Sequence, residues 1–483
     1  MKWSDLKLGL IAFLALFAGK IATAQQLTAG QNLRLDDLSA FNNPGSNWSI
    51  AGKVISDSKV AAELKALKGT GVLLNSPGKN GTDLLTNAVY GNMVLELDYL
   101  MAKGSNSGIY LQGNYEIQLT DSWGKIKPLS SDNGGVYERW DDSRPEGQKG
   151  FEGYAPRQNA SKAPGLWQHL KIVFQAPQFD GAGNKIGHAK LLAVELNGVL
   201  IHDQVVLFGP TRGAADKEKA VGPLRFQGDH GAVAFRNITI SELPGAWLNG
   251  MQRGGERADP IYIEAPVNTM IRSFVDVRPG LRAVHAISVG SPNGLHYSYD
   301  LDHGSLLQGW HGGFIDATPM WDGRGDGTSR PNGAVTRFAE QLIPAVAQLA
   351  NLQTAWPADT TGTGFRPKGY IMDQEDRPEF IYQTYGVQVN DAIKLAEDGK
   401  RLSRTVTVNK PDSKMLSSTF PKLYLLLAKS SDIEEITKGG YLVDGQSFYI
   451  QTDAADKPII REIDGKKELI MPLGAKSTYY ISF

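Results

Sequence analysis

Asn106-Ser107-Gly108-Ile109-Tyr110-Leu111, followed almost at once by Tyr115-Glu116-Ile117-Gln118-Leu119, is the stretch whose reading decides the fold. A β-strand turns successive side chains to opposite faces. Glu116 and Gln118 therefore share one face, while Tyr115, Ile117 and Leu119 take the other. That is the pattern of a sheet buried on one side and wet on the other, with proton-handling groups on the wet side. Gly113-Asn114 sits at hairpin distance between the two runs, and Met93 to Tyr99 alternates in the same way upstream. The three runs read as an antiparallel meander.

Outward from this meander, short strands are expected at Asn47 to Ile50 and Gly71 to Leu74, with a helical interruption near Lys59 to Lys68. Strands return at Gln168 to Phe174, at Ala189 to Leu196 and at Val199 to Val206. The last two are joined by Asn197-Gly198, a strong hairpin signal. Gly222 to Phe226 and Ala232 to Ile240 complete the set. Between Thr120 and Lys162 the chain is polar, rich in Gly, Pro and aromatics, and far longer than an ordinary connection. Loops of that length usually line sites.

Residues 244–258 lack periodicity and read as a linker. Beyond them, alternating runs at Met270 to Phe274, Ala283 to Val289, His296 to Tyr299, Glu379 to Tyr385, Leu402 to Val408, Lys422 to Leu427 and Glu468 to Met471 predict a second β-sandwich over 259–483. Thr336 to Leu352 fits a helix or a strand equally well.

The N-terminus has Lys2, an apolar block from Leu8 to Phe17 and Ala22-Thr23-Ala24 before Gln25, the three parts of a secretory signal peptide. Residues 1–24 are expected to be removed after Ala24, leaving a mature chain that begins a first domain over 25–243. The block is too short for a lasting membrane span. The chain has no cysteine, so disulfides, thiolate metal sites and a lipoprotein anchor are excluded. The expected location is periplasmic or secreted. A formal net charge of -1 with interspersed acids and bases offers no basic stripe for nucleic acid. With 54 glycines and 24 prolines set between β-branched and aromatic runs, the chain reads as all-β. Its Trp and Tyr content suits carbohydrate, whose C–H faces stack on aromatic rings. No oligomeric state is fixed by these patterns.

Several strings occur in the order found in a known bacterial family. They are Ala88-Val89-Tyr90-Gly91-Asn92-Met93-Val94-Leu95-Glu96, Asn106-Ser107-Gly108-Ile109-Tyr110, Tyr115-Glu116-Ile117-Gln118 and Gly135-Val136-Tyr137. Pro164-Gly165-Leu166-Trp167-Gln168, Asn197-Gly198, Gly222-Pro223-Leu224-Arg225-Phe226-Gln227-Gly228-Asp229-His230-Gly231 and Phe235-Arg236-Asn237-Ile238 follow. From about Leu38 to about Ser241 the chain thus resembles the 3-keto-disaccharide hydrolase domain. The resemblance implies a concanavalin-like jelly-roll β-sandwich with a carbohydrate-binding face, and a glycoside substrate whose C3 hydroxyl has been oxidised to a ketone. An extra Gly228 before Asp229-His230 departs from the family pattern and bears on where His230 points.

A C3 ketone acidifies the proton at C2, so a base can remove it and the enolate can expel the oxygen at C1. The chemistry needs one base, one acid for the leaving oxygen, and a group that holds the enolate. Under this reading Glu116 and His230 are the candidate acid–base residues. Asn106, Gln118, Tyr137, Trp140, Gln227 and Arg236 are the candidate substrate contacts, and a divalent metal ion is kept open as a cofactor that would polarise the ketone. Each has a plainer reading. Glu116 would lie on a solvated face with Gln118 as its partner, His230 and Asn106 would be turn residues, and Arg236 would pair with a carboxylate across the sheet. Asp121, which could serve as a metal ligand, would instead cap its own loop, and Tyr137 and Trp140 would pack the long loop. The rival functions are a carbohydrate-binding protein without catalysis and a scaffold protein of the envelope.

In the second half, Gly309-Trp310-His311-Gly312-Gly313-Phe314-Ile315-Asp316 and its neighbours resemble β-sandwich regions of the mutarotase-like super-sandwich kind, attached in other bacterial proteins to haem-carrying or sugar-directed domains. His296, His303, His311, Asp300 and Asp316 invite a metal reading, but their spacing matches no defined motif. Trp310 and Trp321 are candidates for sugar contact, with structural packing as the alternative. The chain lacks a CxxCH string, so it carries no covalent haem of that type.

Overall fold

Alternating runs pair where both strands can bury the same face, and the chain is β-rich throughout. The computed structural model describes residues 31–57, 60–78, 80–214, 217–243, 259–323, 325–409 and 422–483. The expected signal peptide and linker lie outside the described residues.

The first half is a two-sheet jelly roll. One sheet runs, in spatial order, Phe41–Asn42, Leu84–Tyr90, Gly222–Phe226, Asn106–Leu111 and Tyr115–Thr120. The other runs Val199–Leu207, Ala189–Leu196, Gln168–Gln175, Met93–Met101, Val233–Glu242, Lys65–Asn75 and Trp48–Ile55, with Gln31–Asn32 beside Val233–Glu242. Ile109, Leu111, Tyr115, Ile117, Leu119, Leu224 and Phe226 of the first sheet meet Leu95, Leu97, Tyr99, Ile172, Phe174 and Phe235 of the second in one core. Their alternation is what turns Glu116 and Gln118 to the opposite face. The connection after Leu111 turns at Gln112 and Gly113, with φ of 55° and 71°, one residue earlier than Gly113-Asn114. Asn197 and Gly198, at φ 51° and 80°, make the expected turn.

The helical interruption near Lys59 to Lys68 is not there over the described part of that span. Lys65–Asn75 is a strand paired with Trp48–Ile55. Pairing overrides the helix preference of Lys-Ala-Leu-Lys, because a backbone that can complete a ladder gains more than local propensity supplies. At Gly69, with φ +142°, an added Cβ would stand 2.7 Å from the Cα of Gly52, so the two backbones meet where only glycine fits.

The second half is a β-sandwich built from three sheets. A single core draws on Tyr297 and Tyr299 of a six-stranded sheet, on Leu425 and Met471 of a four-stranded one, and on Phe380, Val389, Val406 and Ile481 of an eight-stranded one. Thr336 to Leu352 is neither a helix nor one strand. It holds the end of Arg330–Arg337 and the short Val346–Gln348. Among the described residues no helix is long and apolar enough to cross a membrane.

Candidate active site

Register brings one row of side chains together on the outer face of the five-stranded sheet. Tyr110 stands opposite Glu116, and Arg225 stands opposite Tyr110. The three therefore lie side by side across three adjacent strands. The Arg225 guanidinium sits 4.1 Å over the Tyr110 ring, and its Nε donates to Asp83 Oδ2 at 2.6 Å. Its Nη1 donates to the Gly213 carbonyl at 2.8 Å. Gly108 follows from the same packing, because a Cβ there would lie 2.2 Å from Glu116 Oε1. The glycine leaves room for the carboxyl group.

The face is not wet at this point. Glu116 is 2% exposed and Gln118 4%. The segment from Gly134 to Tyr137 extends the sheet edge beside Glu116, and residues 211–213 cover the face, where the Arg212 carbonyl accepts from the Tyr110 hydroxyl at 3.3 Å. The backbone N–H of Tyr137 donates to the Glu116 carbonyl at 3.1 Å, and Thr211 Oγ1 accepts the Glu116 N–H at 3.1 Å. Burial pushes the Glu116 carboxyl up to about 7, against the pull of the Tyr110 hydroxyl and Arg225, and with a further push from Asp83 and Asp229. The Tyr110 phenol is raised by burial and by Glu116, so it stays protonated and can donate.

The face opens at Asp229 and His230, whose side chains are about half exposed. His230 Nδ1 is held by Asp229 Oδ1, which leaves Nε2 as its outward nitrogen. The extra Gly228 is clamped beneath them. Its N–H donates to Asp83 Oδ1 at 2.9 Å, its carbonyl accepts from Asn75 Nδ2 at 3.2 Å, and a Cβ there would lie 2.1 Å from the Thr82 carbonyl oxygen. Gln118 Nε2 donates to Asn106 Oδ1 at 2.8 Å, while Gln227 Oε1 is shut away from water with no hydrogen-bond partner.

Tyr137 lies on the Glu116 face, since Val136 bridges Ile117 and the next residue falls opposite Glu116. Trp140 stands at the rim, 36% exposed, under the Arg212 guanidinium at 3.7 Å. Arg236 is on the other sheet and points away from the shared core that holds its neighbour Phe235. There it pairs with Asp98 at 3.2 Å and lies 4.0 Å over the Trp167 ring, so it is not gathered with the rest. Tyr110, Arg225 and Asp83 were not among the candidates from sequence. The alternation of Leu224 and Phe226 placed Arg225 on the Glu116 face, and Ile109 and Leu111 did the same for Tyr110. Asp83 carried no such signal.

The metal readings find no donor set. Among the described residues no three of His, Cys, Asp and Glu gather as ligands. Asp83 is committed to Arg225 and to the Gly228 N–H, so the site does not fit the divalent ion and no step is routed through one. In the second half, His296 packs beside both Trp310 and Phe314 and engages the Gly312 carbonyl at 3.0 Å, and burial lowers it to about 4. Burial lowers His311 to about 3. His303 is bound to Asp300 at 2.6 Å, and Asp316 accepts the Thr318 N–H. Trp310 is fully buried and stacked on Phe314, so it packs the core and cannot meet a sugar. Trp321 is exposed. Asp121 caps its own loop through the N–H groups of Gly104 and Trp123.

Among solved structures, the chain is similar to a "putative glycosyl hydrolase" from Parabacteroides distasonis at 23% identity, over 45% of this chain and 84% of that one, with a TM-score of 0.32. A second structure of that description from the same organism gives 21%, 44%, 100% and 0.29. The carbohydrate binding module CBM66 from Bacillus subtilis gives 13%, 41%, 96% and 0.20. No curated protein matches the chain. Residues 36–241 match the model of the 3-keto-alpha-glucoside-1,2-lyase-like domain, and every group that meets at Glu116, from Asp83 to His230, falls within that span.

Proposed function

We propose that this is a secreted carbohydrate-active enzyme that cleaves 3-keto-glycosides by elimination followed by addition of water. The secreted location rests on the pattern from Lys2 to Ala24. The observation that carries the activity is Glu116, a carboxyl group titrating near 7, set in a row with Tyr110 and Arg225 beside the exposed Asp229–His230 pair. The match over residues 36–241 supports the substrate class.

His230, oriented by Asp229, takes the proton from C2. The C2–H electrons form the enolate with the C3 carbonyl; the enolate then collapses, C1=C2 forms, the ketone returns and the C1–O bond breaks. Glu116, protonated in a large fraction of molecules at neutral pH, gives its proton to the departing oxygen. Water adds at C1 and a proton returns to C2, so the net reaction is hydrolysis. In this reading the Asn106–Gln118 pair takes sugar hydroxyls, and Tyr137 and Trp140 border the ring.

The small exposure of Glu116 favours one rival, a binding protein using the same face without catalysis. Turnover of a 3-keto-glucoside, followed by the ultraviolet absorbance of the enone and by release of the aglycone, separates the two. Glu116→Gln is expected to lower kcat by about 10²–10⁴ while binding of the substrate by calorimetry is kept. Turnover at the parent rate in that variant rules out Glu116 as the acid, and binding without turnover in the parent favours the rival.

A further inference from the structure

The strand that carries Glu116, Tyr115–Thr120, is the last of its sheet. An edge strand leaves half of its backbone groups to find partners elsewhere. Residues 134–137 supply them here. The Gly134 N–H donates to the Gln118 carbonyl at 2.7 Å, the Gln118 N–H to the Gly135 carbonyl at 2.8 Å, and the Tyr137 N–H to the Glu116 carbonyl. Where this segment sits therefore fixes where the main chain of Glu116 sits, and Tyr137 flanks its carboxyl-bearing face. We propose that the second sandwich holds this segment in place through Gln158 and Trp123, so that both are positioning residues for Glu116. The proposal rests on the role given to Glu116 above.

The buried Asn133 ties the segment to the interior. Its Oδ1 accepts from the Tyr99 hydroxyl at 2.9 Å, its Nδ2 donates to Ser161 Oγ at 3.0 Å, and its N–H donates to Ser122 Oγ at 3.0 Å. Asn159 Nδ2 extends the network by donating to the carbonyls of Ser122 at 2.7 Å and Lys125 at 2.8 Å. Such a buried polar network is rigid only while its members keep their partners. The residues next to Asn159 and Ser122 reach across to the second sandwich. Gln158 Oε1 accepts the Gly313 N–H at 2.7 Å, and a Cβ on Gly312 would lie 2.3 Å from that oxygen. Trp123 donates its indole N–H to the Phe483 carbonyl at 2.9 Å and packs on the cluster of Leu166, Leu442 and Tyr449. From the second sandwich to Glu116 the path thus runs through hydrogen bonds and adjacent residues alone. A shift of about 1 Å passed along such a path can cost about 10²-fold in rate.

Gln158→Ala removes the acceptor of the Gly313 N–H, and Trp123→Phe removes the indole donor but keeps an aromatic ring. Neither changes Tyr110, Arg225, Asp83 or Asp229, the groups that act on Glu116. The full chain, labelled with carbon-13 at the glutamate carboxyls and assigned through Glu116→Gln, is titrated by NMR, and kcat and KM are measured on a 3-keto-glucoside. In each variant water gains access to Glu116 along the loosened edge, so its midpoint is expected to fall from about 7 toward 4.5. The kcat is expected to fall about tenfold with little change in KM. Lys53→Met, which breaks the Lys53–Glu434 pair between the same two sandwiches but outside the network, is expected to match the parent in both readouts. A Glu116 midpoint unchanged in both variants, an unchanged kcat, or equal losses in Lys53→Met would overturn the proposal. A parent that turns over no 3-keto-glucoside would instead overturn the activity proposed above, and the titration would still decide the coupling.

Discussion

At Glu116 the fold works against its own stability. A carboxyl group whose ordinary value is 4.5 titrates near 7 here because it is buried beside Tyr110, with Asp83 and Asp229 nearby. Between those two values the unfolded chain has released the proton while the folded chain still holds it. Stability therefore falls as pH rises through this window, by roughly 3 kcal/mol once pH exceeds 7. Glu116→Gln removes the titration and keeps an acceptor for the Tyr110 hydroxyl. The variant is expected to unfold at higher denaturant concentration than the parent at pH 8, with the gap closing toward pH 5. A gap that is constant with pH, or that widens on acidification, contradicts the environment assigned to Glu116. Tyr110 and Arg225 share this neighbourhood by register alone, and both stand in stretches whose alternation was plain in the sequence.

Strand order and turn chemistry set how much of the architecture was legible. Runs such as Met93 to Tyr99 and Ala189 to Leu196 alternate cleanly because each packs a single face, and they form strands where expected. Lys65 to Thr70 misleads because its side chains are solvent-exposed and its strand character comes from the partner backbone, which no local pattern records. The burial of Glu116 was equally hidden, since it depends on residues 211–213 folding back over the sheet from a distant part of the chain. Arg236 shared a motif-bearing stretch with the site yet lies on the opposite sheet, because sequence order within a jelly roll does not say which layer a strand joins. Gly228 joins the two lessons. Its fit against the Thr82 carbonyl fixes the turn that carries Asp229 and His230. Gly228→Ala must displace that turn at a cost of about 1–3 kcal/mol. The variant is expected to stay folded by circular dichroism and to lose kcat more than it raises KM; kinetics matching the parent would show that the turn does not position His230.

The two sandwiches are joined by specific buried contacts. Gln446 accepts from Trp167 Nε1 and donates to the Val54 carbonyl at 2.9 Å. Ala163 and Leu166 pack on Leu442 and Tyr449. Trp123, at the start of the long segment that also carries Tyr137 and Trp140, donates to the carbonyl of Phe483 at 2.9 Å. The last residue of the chain is thus tied to the segment that borders the candidate active site, and the second sandwich supports the first through contacts the family match does not reach. The central claim remains chemical: the outer face around Glu116 and His230 removes the proton at C2 of a 3-keto-glycoside. Cleavage in D₂O, with the released 3-keto-sugar examined by proton NMR against a protein-free control, measures this directly. Deuterium at C2 of the product above the control level is predicted; a product released by the protein with its original C2 proton intact would contradict the account.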